Sequence, residues 1–161
     1  AEALNISIIT ASTTWDNYEE NFINLLEKLK KDKINAGVFG DIDLEEHRDW
    51  VEKVCKKVDM KAKLPLWKMD RREVIEKFIE LGFEAEIIVV KENKLGERFL
   101  GRKLSFELMD EFEEIGVDVC GENGEYQTVV LDGPIFSKKV AIERKEKIKS
   151  KGYIFQNIEV K

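Results

Sequence analysis

The sequence predicts an α/β fold with an antiparallel, β-rich piece appended at the C-terminal end. In the first half of the chain, short apolar runs alternate with stretches of helical periodicity, an order typical of a parallel sheet covered by helices. After Gly116 the pattern changes to turn residues and strict alternation, which indicates antiparallel strands. The 161 residues, 43% of them hydrophobic, are enough for a substantial core.

Three helices are predicted from their capping signals. Each begins at an aspartate that is followed three residues later by a glutamate, as in a capping box. These aspartates are Asp16, Asp43 and Asp70, and a fourth helix is predicted over 105–115. The predicted strands are 4–10, 34–39, 62–67, 84–90, 126–131, 139–148 and 153–160. Within them, the apolar run 87–90 is typical of a strand buried on both faces of a parallel sheet.

Composition narrows the class of protein. A net charge of -6 argues against non-specific binding to nucleic acid, which depends on clustered Lys and Arg. The basic run 144–151 is interleaved with glutamates, so we interpret it as a solvated face. The sequence has no apolar run of the ~20 residues that a membrane helix needs, and two cysteines without a disulfide framework favour a cytoplasmic location. One histidine and two scattered cysteines predict no metal site.

The segment 116–136 is the first candidate for a functional site. Glu122 and Glu125 flank Asn123-Gly124, a pair that favours a tight hairpin turn with positive φ at both residues. We therefore expect a hairpin tip that presents two carboxylates to a cleft. The alternative is that these acids only solvate the tip. The segment holds four of the ten glycines and one of the two prolines, which suggests close approach to a ligand.

A second candidate lies after the second predicted strand. Gly40, Asp41 and Ile42 precede a predicted helix, and ligands of open α/β sheets bind at the carboxyl ends of parallel strands. Backbone N–H groups at such a helix start favour a phosphate. Trp67 ends another strand and either lines a pocket or closes the core. The loop 95–103, with two glycines and two arginines, is interpreted either as an anion-holding loop or as a solvated one.

Four motifs together resemble the diphthine–ammonia ligase family, a group of adenine-nucleotide alpha hydrolases also described as PP-loop ATP pyrophosphatases. The most specific is 120–136, which contains Glu-Asn-Gly-Glu-Tyr and then Asp-Gly-Pro. The other three are 40–55, 65–67 and 99–102. The resemblance covers nearly the whole chain.

This resemblance implies a HUP-like, Rossmann-type parallel sheet with helices on both faces. Residues 1–95 would be the remainder of an ATP-binding domain and residues 96–161 a substrate-binding subdomain. The implied reaction activates a carboxylate as an acyl-adenylate, and ammonia then attacks to give an amide and AMP. The implied partners are ATP with Mg²⁺, ammonia, and diphthine on translation elongation factor 2.

The resemblance also implies roles for individual residues. Glu122 and Glu125 would be catalytic, orienting ammonium or holding a cationic substrate group. Gly40, Asp41 and Ile42 would bind the nucleotide. The residues assigned to the substrate are Trp67, Gly101, Arg102, Gly121, Asn123, Gly124, Tyr126, Thr128 and Asp132. No residue is assigned to a protein-ligated metal.

Two departures from the family pattern leave alternatives open. The Ser-Gly-Gly-x-Asp-Ser type phosphate loop is absent from the sequence, so we expect an N-terminally truncated chain that binds ATP weakly alone and self-associates, for example as a homodimer. The motif 40–55 resembles a bacterial branch, which leaves a small unknown carboxylate as an alternative to diphthine. A non-catalytic nucleotide-binding module is the alternative from another functional class.

Overall fold

Two sheets of opposite character organise the chain in the computed structural model, which describes residues 1–161. A parallel pair of strands lies in one compact unit, Ile8–Asp70. An antiparallel sheet lies in the other, which comprises Ala1–Ser7 and Arg71–Lys161. The predicted α/β class with an antiparallel C-terminal piece is confirmed.

The first unit is built from two helices and two short strands. Helix α1 covers Tyr18–Lys31 and α2 covers Glu45–Lys57, while β1 is Ala36–Val38 and β2 is Lys61–Lys63. The strands pair in parallel, with Ala36 opposite Lys61 and Val38 opposite Lys63. Apolar faces of the helices and strands meet in one core. Its buried members are Leu26, Val54, Cys55, Val58 and Met60.

The start of this unit differs from the sequence prediction. The strand predicted over 4–10 is wrong, because the chain forms a 3-10 turn at Glu2–Leu4 and the following residues 5–14 pair with no strand. The reason is that an alternating apolar pattern becomes a strand only where a neighbouring strand completes the hydrogen-bond ladder. Helix α2 begins two residues after the predicted Asp43, with Leu44 at its N-cap.

The second unit is an antiparallel sheet with two helices. Its strands are β3 (Glu84–Lys91), β4 (Tyr126–Asp132), β5 (Ile142–Ser150) and β6 (Tyr153–Val160), in the spatial order β4-β3-β6-β5. The helices are α3 (Arg71–Glu80) and α4 (Phe106–Glu114). The main buried side chains of its core are Ile87, Val90, Leu95, Phe99, Leu108, Met109, Phe112, Tyr126 and Ile154.

Strand β3 is central and buried, as predicted, but its direction is not. It was expected in a parallel sheet, and it pairs antiparallel with both β4 and β6. The error has a physical cause, because an apolar run reports burial of both faces and not the direction of the neighbours. The predicted domain boundary after residue 95 placed β3 in the first unit, whereas its pairing places it in the second.

None of the four helices is both long and apolar enough to cross a membrane.

Candidate functional site

Asp118 organises the loop that leads into β4. Its Oδ1 accepts a hydrogen bond from the backbone N–H of Cys120 at 3.1 Å, and its Oδ2 accepts one from Glu122 at 2.8 Å. The guanidinium of Arg71 donates to the same Oδ2 at 2.5 Å. An aspartate that caps the backbone two to four residues ahead forms a compact turn without a strand partner. Asp118 therefore fixes where the acids of this loop lie.

The predicted hairpin around Asn123-Gly124 is wrong. Strand β4 pairs with β3, and no strand precedes the loop to form a hairpin with it. Gly121 and Gly124 take positive φ, at 68° and 76°, whereas Asn123 does not. The turn is closed by a hydrogen bond from Gly124 N–H to the Gly121 carbonyl at 2.9 Å. The side-chain hydrogen bonds of Asp118 override the local preference of the Asn-Gly pair.

Glu125 is buried at the end of this loop. Only 6% of the residue is exposed, and its Oε2 is the one buried side-chain nitrogen or oxygen in the chain without a hydrogen-bond partner. Its backbone carbonyl accepts a hydrogen bond from Lys91 at 2.8 Å, which anchors it to the end of β3. An unsatisfied buried carboxylate oxygen is rare in native proteins and marks a site of strain or of function. Glu122, by contrast, is partly exposed.

Tyr126 makes the surroundings of Glu125 electronegative and rigid. Its hydroxyl donates to the carbonyl of Val119. Burial raises the pKa of this phenol, and the nearby acidic groups Cys120, Asp118, Glu125 and Glu122 raise it further. The tyrosine thus stays neutral, and the acids around it favour a cation. No group of three or more His, Cys, Asp or Glu side chains is arranged to hold a metal ion. The loop therefore suits an ammonium-type cation better than a metal.

The remaining predicted substrate residues of this unit are spread along β3 and β4. Gly101 donates its N–H to the carbonyl of Ile87 at 2.8 Å, so its segment runs alongside β3. Arg102 donates to Glu111 of α4 at 2.5 Å. Thr128 lies opposite Ile87 in the middle of β4. Asp132 ends β4, about 20 Å along the strand from Tyr126, and accepts from the Gly133 N–H at 2.9 Å.

The predicted nucleotide residues meet Trp67 at the carboxyl end of the parallel pair. The carbonyl of Ile42 accepts the N–H of Lys68 at 2.7 Å, which joins the loop after β1 to the loop after β2. Asp41 Oδ1 lies 3.3 Å from His47 Nδ1. The Trp67 ring has Lys68 Nζ 4.6 Å from its centroid. Gly40 has nothing within 4 Å of where a Cβ would lie. This edge of the sheet is where open α/β folds bind ligands.

Comparison with known families identifies both halves of the chain. The model described as the diphthamide synthase C-terminal domain matches residues 70–160, and the one described as the N-terminal domain matches residues 1–62. The chain belongs to the diphthamide synthase family. The resemblance expected from the motifs is therefore confirmed. The C-terminal diphthamide synthase match begins at residue 70, beside the start of the second unit at Arg71.

Individual relatives of this diphthamide synthase family member are diphthine–ammonia ligases. The protein of Rattus norvegicus is 32% identical over 136 residues, which is 80% of this chain and 50% of the relative. That of Homo sapiens is 32% identical over 132 residues, 79% of this chain and 49% of the relative. The chain spans about half the length of these two curated relatives.

Three functional residues of this diphthamide synthase chain escaped sequence reasoning. Asp118 was detectable in principle, since an aspartate two residues before a turn is a known capping signal. Glu86 was detectable as a charged residue in the buried strand β3, where an acid needs a partner. That partner is Arg144 of β5, 2.5 Å away, and no local pattern shows a contact across 58 residues of sequence.

Proposed function

We propose that the protein is an ATP-dependent, amide-forming ligase whose acceptor carboxylate is that of diphthine on translation elongation factor 2. The observation that carries this proposal is Glu125, a buried carboxylate with an unpartnered oxygen in the middle of the matched C-terminal domain. The names of the relatives supply the reaction class, since diphthine–ammonia ligases join ammonia to a carboxylate.

The chemistry explains why such a carboxylate is needed. A substrate carboxylate is a poor electrophile until ATP converts it to an acyl-adenylate with release of pyrophosphate. Ammonia is mostly ammonium at neutral pH, and ammonium has no lone pair with which to attack. Glu125 Oε2 accepts a hydrogen bond and then a proton from ammonium, and the ammonia formed makes the C–N bond as the C–O bond to AMP breaks. General-base catalysis of this kind contributes about 10²–10⁴-fold.

Glu122 and the glycines complete this amine site in the proposal. Glu122 adds negative charge beside Glu125, and its N–H is held by Asp118 at 2.8 Å. Gly121 and Gly124, both at positive φ, let the chain turn tightly enough to bring the two acids together. Tyr126 fixes the loop from beneath through its hydrogen bond to Val119.

The nucleotide belongs at the other predicted group. Gly40, Asp41 and Ile42 lie at the carboxyl end of β1, and Trp67 lies beyond the end of β2. Backbone N–H groups near the start of α2 favour the phosphates of ATP. Mg²⁺ usually binds through substrate phosphates, water and one or two carboxylates. Asp41 is the carboxylate available in this loop, so Mg²⁺ fits here as a companion of ATP rather than as an ion held by the protein alone.

The test measures two half-reactions in the complete protein. Pyrophosphate release and amide formation are followed with diphthine-bearing elongation factor and with small carboxylates as acceptors. Glu125→Gln should keep adenylation and lose about 100-fold in amide formation with ammonium. The control Glu92→Gln alters an exposed acid paired with Lys149 and should match the wild type. Hydroxylamine, which is uncharged at neutral pH, should restore much of the Glu125→Gln rate.

The outcomes separate the alternatives. Wild-type amide formation by Glu125→Gln would refute the role of this residue. Turnover only with a small carboxylate would replace diphthine as the acceptor. Nucleotide binding without pyrophosphate release on any acceptor would favour the non-catalytic nucleotide-binding module.

A further inference from the structure

A buried acid on β3 holds an arginine on β5 in a fixed orientation. Arg144 Nε donates to Glu86 Oε1 at 2.8 Å, and Arg144 Nη2 donates to Glu86 Oε2 at 2.5 Å. Glu86 is 1% exposed, whereas the side chain of Arg144 is 52% exposed. The pair therefore joins a fully desolvated carboxylate to a guanidinium that lies at the surface.

The geometry of the pair leaves one edge of the guanidinium unused. A guanidinium has five donors arranged so that two different edges can each bind an oxyanion through two hydrogen bonds. Glu86 occupies the edge formed by Nε and Nη2. The edge formed by Nη1 and the outer hydrogen of Nη2 has no partner within the protein, and the exposure of Arg144 leaves it open to solvent.

Gly101 lies against this pair without a side chain. A Cβ at Gly101 would be 3.4 Å from Arg144 Nε and 3.8 Å from Glu86 Oε1. The φ of Gly101 is 82°, which disfavours other residues at this position. The backbone of Gly101 therefore approaches the ion pair closely, and residues 101–104 run beside β3 at this point.

Stability alone does not explain the pair. Buried ion pairs are often no better for stability than apolar residues of the same size, because desolvation offsets the attraction. The two arginines of the loop 95–103 are engaged elsewhere, since Arg98 and Arg102 both contact Glu111 of α4. The sequence predicted that this loop could hold an anion. The guanidinium with an unused edge comes instead from β5, next to Gly101.

We propose that Arg144 is an oxyanion-binding residue, which takes a carboxylate or phosphate group on its Nη1/Nη2 edge beside Gly101. Glu86 is a positioning residue, because it holds the guanidinium without reaching the ligand. The site is separate from the reaction proposed above and does not require that reaction to be correct.

The test titrates the 161-residue chain with pyrophosphate and with malonate while the side-chain ¹⁵N signals of arginine are followed by NMR. Saturable binding should shift the Arg144 Nη signals. Arg144→Lys keeps the charge and the contact with Glu86 but lacks the second edge, so it should weaken binding about 10-fold. The control Lys149→Gln removes a cation from the same strand with similar exposure, 58%, and should change the affinity less than about two-fold.

The result has clear readings. Tighter binding of pyrophosphate than of malonate identifies a phosphate as the natural ligand, and the reverse identifies a carboxylate. Absence of saturable binding overturns the proposal. Equal weakening by Arg144→Lys and Lys149→Gln also overturns it, because that result indicates attraction to the general charge of β5. Circular dichroism of each variant verifies that the sheet is intact.

Discussion

Glu125 keeps a carboxylate in surroundings where charge is costly. A buried charge without a full set of partners lowers the stability of a protein, and such residues persist when the function needs them. Stability and activity should therefore respond in opposite directions when this charge is removed.

We predict that Glu125→Gln leaves the melting temperature of the chain unchanged or raises it, because the amide fills the same volume without a buried charge. Thermal unfolding followed by circular dichroism measures this. A fall of several degrees would mean that the carboxylate contributes to stability through its neighbours, and the unpartnered oxygen would then lose its functional reading. Glu92→Gln, at an exposed position, is the matched control and should leave the melting temperature unchanged.

Gly121 gives a second prediction for a single residue. A Cβ there would lie 3.0 Å from the Tyr126 ring, and φ is 68°. We expect Gly121→Ala to reduce the free energy of unfolding by about 1–3 kcal/mol, because strain and a steric clash combine. Urea denaturation of Gly96→Ala provides the comparison, since Gly96 has an ordinary φ of -80° and open space around it. Equal losses in the two variants would contradict the role of Gly121 in the loop.

At the scale of elements, α4 shows how a local signal fixes a boundary. Ser105 is its N-cap, and the Ser105 hydroxyl accepts a hydrogen bond from the Leu108 N–H at 3.2 Å. We predict that Ser105→Ala costs about 1 kcal/mol of stability and that Ser105→Asp restores most of it. Chemical denaturation of the three proteins tests this. If Ser105→Asp were as unstable as Ser105→Ala, the cap would not be the cause.

Helices α1 and α2 are joined by Glu19. Its carboxylate accepts from Lys53 at 2.6 Å, Lys57 at 2.8 Å and Trp50 Nε1 at 3.2 Å. The hydrogen bonds from Lys53 and Lys57 lower the pKa of Glu19 to about 2. A depressed pKa stabilises the fold above the ordinary value of 4.5, and this contribution disappears as the pH falls from 4.5 to about 2.

We therefore predict that Glu19→Gln lowers the melting temperature near neutral pH and that this difference shrinks as the pH falls toward about 2. Melting curves of both proteins across this range measure the effect. High salt should also reduce it, because these side chains are partly exposed and their charges are screened. A difference that is independent of pH would contradict the assignment to ionised Glu19.

The elements also show what the sequence could and could not specify. Helix α4 was predictable because Ser105, the apolar periodicity and Gly116 all act locally. The hairpin of β5 and β6 was predictable because Lys151 and Gly152, both at positive φ, suit the two-residue turn between them. The direction of β3 was not predictable, because it depends on which distant strands pair with it.

At the scale of the whole molecule, each compact unit has a core of its own. The deepest backbone lies in β3, where Ile87 and Val90 are fully buried, while residues 7–13 pair with no strand. We predict that hydrogen exchange is slowest in β3 and β6 and fastest over 7–13. Mass spectrometry of exchanged peptides measures this order. Strong protection of 7–13 would show that another chain covers this segment, as expected if the protein self-associates.

The candidate sites were predictable to a similar, partial degree. The loop with Glu122 and Glu125 was found because glycine and acids concentrate there, although its hairpin geometry was wrong. The group of Gly40, Asp41 and Ile42 follows from the order of strand and helix alone. Contacts between distant strands, such as that of Glu86 with Arg144, depend on the complete sheet and leave no local signal.

Strand β5 has a consequence for how the protein behaves at high concentration. It is the outer strand of its sheet, and charged side chains fill most of its nine residues. An open edge can accept a strand from another molecule, and lysines along such an edge oppose this addition. Each new chain would have to desolvate Lys145, Lys147 and Lys149 to extend the sheet. The same charges that keep β5 at the surface therefore protect the protein against fibril-like growth.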